Sequence, residues 1–111
     1  MNISFALTTE QVIRKQKTVT RRLGWKKLQP GAILQPVEKS QGLKKGETVK
    51  KIGGPIRVVK VHQCVLGDIS PQDVYREGFP ELTPREFVEM FKRHNGCLKD
   101  QVVTRIEFEY L

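Results

Sequence analysis

Paired cysteines are missing from this sequence. Cys64 and Cys97 are the only two in 111 residues. They allow one disulfide or two buried thiols, and in a cytoplasmic chain buried thiols are the expectation. His62-x-Cys64 and His94-x-x-Cys97 lack the CxxC pairs of a strong zinc pattern, so no metal and no cofactor is expected. Long apolar runs are missing too. Nothing approaches the roughly 18 residues that cross a bilayer, which argues against a membrane partner. The start, Met1-Asn2-Ile3-Ser4-Phe5-Ala6-Leu7, has neither the basic nor the apolar region of a signal peptide. A cytoplasmic location is the expectation. Gly42-Leu43-Lys44-Lys45-Gly46-Glu47 lacks the strand–loop–helix setting of a P-loop. There is no internal repeat and no low-complexity tail, and no feature selects an oligomeric state.

Acidic residues are scarce, 12 against 20 Lys+Arg, for a net charge of +8. The imbalance is concentrated. Residues 1–60 hold 14 Lys+Arg and 3 Asp+Glu, a surplus of 11 positive charges, whereas residues 61–111 carry a net charge of −3. Such asymmetry points to one face for a polyanion, and nucleic acid is the commonest such partner. The length suits one domain, 1–111, with a single modest core.

The densest chemistry lies in Lys15-Gln16-Lys17-Thr18-Val19-Thr20-Arg21-Arg22-Leu23-Gly24-Trp25. In an extended segment Thr18, Thr20 and Arg22 share one face, and Lys17, Val19 and Arg21 share the other. A threonine beside a guanidinium can hold an anion or a base edge, and Trp25 offers a stacking surface. Lys26, and Lys44, Lys45, Lys50 and Lys51 in the glycine-containing segment 39–51, extend the basic character. The candidate nucleic-acid contacts are therefore Thr18, Arg21, Arg22, Trp25, Lys26, Lys44, Lys45, Lys50 and Lys51.

Along the chain, strands are expected at 3–7, 17–22, 32–38, 56–66 and 102–110. Pro36 would put the third at an edge or end it early. In the fourth, even-numbered residues from Ile56 to Cys64 fall on one face. In the last, Thr104, Ile106, Phe108 and Tyr110 face inward and Arg105, Glu107 and Glu109 outward. Helices are expected at 10–15, capped by Thr8 or Thr9, with Thr8/Gln11 at capping-box spacing, at 71–77, with Ser70 as cap, and from Pro84, with a Thr83/Glu86 capping box. Gly78 would end the second helix, leaving Glu77 where the helix dipole disfavours an anion. A carboxylate placed there is either exposed or held by a cation. The stripe Phe87, Met90 and Phe91 reads as core. The order β-α-β-β-β-α-α-β predicts an α+β fold, a small, mostly antiparallel β-barrel with short helices packed on it.

Taken together, Lys17-Thr18-Val19-Thr20-Arg21-Arg22, Leu28-Gln29-Pro30-Gly31, Glu77-Gly78-Phe79, Thr83-Pro84-Arg85-Glu86-Phe87 and Ile106-Glu107-Phe108 resemble an ASCH domain. The resemblance covers nearly the whole chain. It is strongest to the short single-domain versions of bacteria and their phages. It implies a PUA-like barrel with a cleft suited to RNA or a nucleotide. The family also includes small amidohydrolases that deacylate N4-acetylcytidine. Their lysine, threonine and glutamate fall here on Lys17, Thr20 and Glu77 as catalytic residues, with Arg22 nearby. Two departures stand out: Lys15-Gln16 replaces a glycine before the lysine, and the segment 39–51 is longer and more basic.

The leading expectation is thus a domain binding RNA, a nucleoside or a nucleotide through a basic cleft. The alternatives are an amidohydrolase using Lys17, Thr20 and Glu77, a metal-independent ribonuclease using Lys17, Arg22 and Glu77, and a structural phage or host-interaction protein. Amide hydrolysis needs a nucleophile, a base and oxyanion stabilisation. In an ideal strand Lys17 and Thr20 point to opposite faces, so that site requires a bulge or turn between them.

Overall fold

The computed structural model describes residues 1–39 and 46–111. In chain order its elements are β1 (Asn2–Ser4), α1 (Thr9–Ile13), β2 (Val19–Arg22), β3 (Ile33–Val37), β4 (Ile56–Val65), a 3₁₀ turn (Leu66–Asp68), α2 (Pro71–Arg76), α3 (Pro84–Asn95) and β5 (Val102–Tyr110). This is the expected succession of strands and helices. The strands form one sheet in the order β1-β3-β4-β5-β2. β1 runs parallel to β3, and the other pairings are antiparallel. Among the described residues the sheet is not closed, β1 and β2 both ending as edges, so the α+β sheet stands without confirming the barrel the sequence suggested. One side chain links those edges: Arg22 Nη2 donates to the carbonyl of Ser4.

The helices start where their caps dictate. Ser70 Oγ accepts from Asp73 N at 3.1 Å, and Thr83 and Glu86 form the reciprocal capping box. The first helix departs from expectation. Thr8 makes no side-chain cap, and Thr9 Oγ1 instead donates to the Phe5 carbonyl at 2.9 Å. Lys15 follows the helix at φ 59°. It occupies the left-handed conformation that glycine ordinarily supplies after a helix.

Two corrections concern strand faces. Pro36 lies inside the sheet, because β3 runs between β1 and β4. Its carbonyl accepts from Ile52 N, so its missing N–H faces a short bridge at Val37–Lys51 rather than a regular ladder. In β4 the register shifts between Val58 and Lys60. The bulge exchanges the two faces: Ile56 and Val58 are buried before it, and Val61 packs inward after it.

The apolar interior also differs from the single core expected. One cluster, around Phe5, Leu34, Ile56, Ile106 and Phe108, covers one face of the sheet. A second, around Leu66, Val74, Phe87, Phe91 and Val103, lies under α2 and α3. Val103 against Ile106 and Phe108 fixes the two clusters on opposite faces by the strand's period of two.

Gly78 follows Glu77, the C-cap of α2. It sits at φ +99°, and a Cβ there would lie 2.8 Å from Gln11 Cγ and 3.0 Å from Gln11 Cβ. Those are near-backbone atoms with little room to retreat. Gly78→Ala is therefore expected to lower stability by about 1–3 kcal/mol, strain at positive φ adding to the clash. A urea titration measures it, and an unchanged midpoint would contradict the packing described.

Candidate active site

Lys17 precedes β2, which begins only at Val19. Its position is set by local backbone bonds. Gln16 N and Lys17 N both donate to the Gln11 carbonyl, and Thr18 N donates to Arg76 O at 2.8 Å. Strand alternation therefore does not bind Lys17 to the face opposite Thr20. No bulge is needed, and both side chains line one pocket at the β2 edge.

The pocket holds about 150 Å³, the size of a cavity that admits one benzene ring. Lys17, Thr20, Arg21, Arg22 and Glu77 form its polar side, and Phe5, Phe79, Phe87, Met90 and Phe91 its apolar side. The stripe on α3 thus serves both the core and this wall.

Glu77 caps the C-terminal end of α2 and is only 2% exposed. It is held there by cations, one of the two options its position allowed. Lys17 Nζ donates to Glu77 Oε1 at 2.7 Å and to the Glu77 carbonyl at 2.8 Å. Arg21 Nη1 donates to Glu77 Oε2 at 3.2 Å. Burial pushes the Lys17 ammonium below the usual lysine range, and the Glu77 carboxylate opposes that shift. Thr20 is buried, and its Oγ1 accepts from Arg22 Nε at 3.0 Å. The Arg22 guanidinium lies 4.9 Å from the centre of the Phe5 ring. Burial lowers its pKa to about 10.

Behind this site stands a network that sequence reasoning missed. Arg21 and Arg105 are directly opposite each other on β2 and β5. Like charges so placed repel. Asp73 from α2 sits between them. Its Oδ2 accepts from Arg21 Nη2 at 2.6 Å and Arg105 Nε at 2.7 Å, and its Oδ1 from Arg105 Nη2 and Arg76 Nη1 at 3.0 Å each. Hydrogen bonds from Arg105 and Arg21 hold the Asp73 carboxyl well below the usual carboxylate range, against the opposing effect of burial. Arg105 was expected on a solvated face. It is buried because α2 covers that end of the sheet. The only available signal was Asp73 itself, an acid in the first turn of α2 with a single cation, Arg76, on its own helix.

Tyr110, at the end of β5, also reaches the site. Its hydroxyl donates to the Lys17 carbonyl at 2.5 Å. Burial raises its pKa to about 12. A phenol with a raised folded pKa stabilises the fold fully below its unfolded value near 10, and the contribution fades as pH climbs through about 12. Tyr110→Phe is expected to cost about 1 kcal/mol at pH 7. It should also flatten the loss of stability between pH 10 and 12. Chemical denaturation across that range is the check.

The remaining candidates do not converge. Trp25 packs partly against the first cluster and borders a separate shallow groove with exposed Lys26 and Lys27. Thr18 is half-buried beside the pocket strand. Arg21 is buried and paired, so it offers no free surface charge. Lys50 and Lys51 are exposed, Lys50 lying 3.6 Å from Glu38. Lys44 and Lys45 fall outside the described residues. Among the described residues no helix is long and apolar enough to cross a membrane, and no group of three or more His, Cys, Asp or Glu could hold a metal.

No family model and no curated protein matches the chain. Solved structures do. A protein from Enterococcus faecalis of family DUF984 superimposes with a TM-score of 0.69 at 18% identity, over 93% of this chain and 66% of that one. The chain thus spans just under two thirds of that protein's length. An ASCH domain from Lactobacillus crispatus superimposes with a TM-score of 0.62 at 15% identity, over 97% of this chain and 77% of that one. At these identities the likeness is one of fold, and the fold is that of an ASCH-type domain.

Proposed function

We propose that the β2-edge pocket is a hydrolytic site that removes an acyl group from the exocyclic amine of a pyrimidine nucleoside. The observation that carries this reading is the burial of Lys17 against Glu77 in a pocket shared with Thr20 and Arg22. It is supported by the resemblance of Lys17, Thr20 and Glu77 to the residues of N4-acetylcytidine amidohydrolases. The geometry moves the weight from the binding module that the charge asymmetry favoured, because among the described residues the basic candidates are dispersed while the three catalytic candidates line one pocket.

In this reading Thr20 Oγ1 attacks the acyl carbon and its proton passes to Lys17 Nζ. The carbon–nitrogen bond then breaks as the leaving amine takes that proton back from Lys17, and water, giving a proton to Lys17, attacks the acyl-threonine to release the carboxylic acid and restore Thr20 Oγ1–H. Lys17 can act as a base because Glu77 has a second cation. When Lys17 is neutral, Arg21 still compensates the carboxylate. Arg22, donating to Thr20 Oγ1, favours the developing alkoxide. The pocket admits one ring, so ribose would remain outside.

Incubation with N4-acetylcytidine, with release of cytidine followed by chromatography, tests the proposal. Absence of turnover at high enzyme and long times would overturn it. The remaining reading would then be RNA binding through the surplus charge of residues 1–60, seen as affinity that falls steeply with salt.

A further inference from the structure

The pocket is amphipathic in a way that deacylation of an acetyl group does not use. Its polar side brings three cations, Lys17, Arg21 and Arg22, to one carboxylate, Glu77. Lys17 and Arg21 are both committed to Glu77. Arg22 is half-buried, yet among the described residues no carboxylate lies within ion-pair distance of it. Its hydrogen bonds go to a hydroxyl and a carbonyl, and Glu77 acts on its charge only from beyond ion-pair distance. Arg21 Nε is buried without a hydrogen-bond partner, the one such side-chain atom among the described residues. A half-buried guanidinium with no carboxylate at ion-pair distance, next to one with an unpaired N–H, is a site for an anion.

The opposite wall is aromatic. Phe5, Phe79, Phe87, Phe91 and Met90 face the same volume. Phe79, Phe87 and Phe91 form a chain of ring contacts at 5.9 and 6.2 Å. Phosphate has no use for such a wall, and acetate is too small to cover it. A ring with a carboxylate attached meets both halves.

We infer that this pocket binds a monocyclic aromatic carboxylate of benzoate size, with its ring against Phe79, Phe87, Met90 and Phe91 and its carboxylate on Arg22. If the pocket is hydrolytic, this ligand is the acid half of the substrate, released as product, and an aromatic acyl group is preferred to acetyl. Binding itself does not rest on turnover.

Calorimetric titration of the wild-type chain at pH 7 with benzoate, benzamide, acetate and inorganic phosphate tests it. Benzoate should bind saturably, about tenfold or more tighter than benzamide, which has the ring without the charge. It should exceed acetate by a similar factor, because acetate lacks the ring. Arg22→Gln should remove the preference for benzoate over benzamide while leaving weak binding of both. Equal affinity for benzamide, a preference for phosphate, or no saturable binding of benzoate would each overturn the inference. The wild-type comparison stands even if Arg22→Gln does not fold. Benzoate binding without hydrolysis of N4-acetylcytidine would keep this inference and remove the hydrolytic reading. Hydrolysis without selective benzoate binding would do the reverse.

Discussion

Asp73→Ala should bring the chain close to unfolding at neutral pH, with a loss of about 3–5 kcal/mol. The reason is the company Asp73 keeps. Its carboxylate accepts from Arg21 and Arg105, both buried, and from the more exposed Arg76. Arg21 and Arg105 sit face to face across β2 and β5. Without Asp73, two guanidiniums confront each other in the space beneath α2. Each retains one other carboxylate, Glu77 for Arg21 and Glu107 for Arg105, which places the loss nearer the lower end of that range. Domains of this kind have about 5–15 kcal/mol in total, so even that is a large share.

The same group sets the acid limb of stability. The folded-state pKa of Asp73 is depressed, so its contribution is complete above the unfolded value near 3.9 and is lost as pH falls toward the folded value. The wild-type urea midpoint should therefore decline from about pH 5 downward. In Asp73→Asn, which keeps the shape and removes the titration, that decline should be shallower. An Asp73→Asn curve parallel to the wild type would show that other carboxylates dominate acid unfolding.

This network also marks the boundary of what could be read from sequence. Helix caps were legible because their signals are local: Ser70 with Pro71, and Thr83 with Glu86, act within a single turn. The succession of elements was legible because apolar periodicity and glycine breaks are local too. Strand faces failed where tertiary structure intervened. The bulge at Val59 exchanges the faces of β4, and α2 buries Arg105 on what periodicity alone marks as the solvated side. Closure into a barrel was not legible either, since it depends on whether β1 and β2 pair, and they stand at opposite ends of the strand order. The candidate site was half visible. Lys17, Thr20 and Glu77 were named because they match a motif, and Glu77 also because it opposes a helix dipole. Asp73, Arg105 and Tyr110 were not, since each is about 30 to 90 residues in sequence from the side chain or carbonyl it serves. Trp25, conspicuous by composition, is drawn into the first cluster instead.

The second large effect concerns turnover. In the hydrolytic reading, Thr20→Val removes the attacking oxygen and should lower kcat/KM by at least about 10³-fold, as nucleophile removal does elsewhere. Its stability cost is small, about 1 kcal/mol, since Val keeps the shape and only Arg22 Nε loses an acceptor. Lys17→Met should lower the rate by about 10²–10⁴-fold, the range of general-base catalysis. It too should fold, because Arg21 remains on Glu77 and one buried cation is gone. The two variants differ in their pH profiles. In the wild type the rate should rise with pH as Lys17 loses its proton, at a pH below the ordinary lysine value near 10.4 because the ammonium is buried. Thr20→Val should show no turnover to titrate, whereas Lys17→Met should keep a residual rate without that rising limb. A residual limb in Lys17→Met would assign the base to another group. Full turnover in Thr20→Val would replace covalent catalysis with direct attack by water, leaving Lys17 and Glu77 as its base and orienting acid.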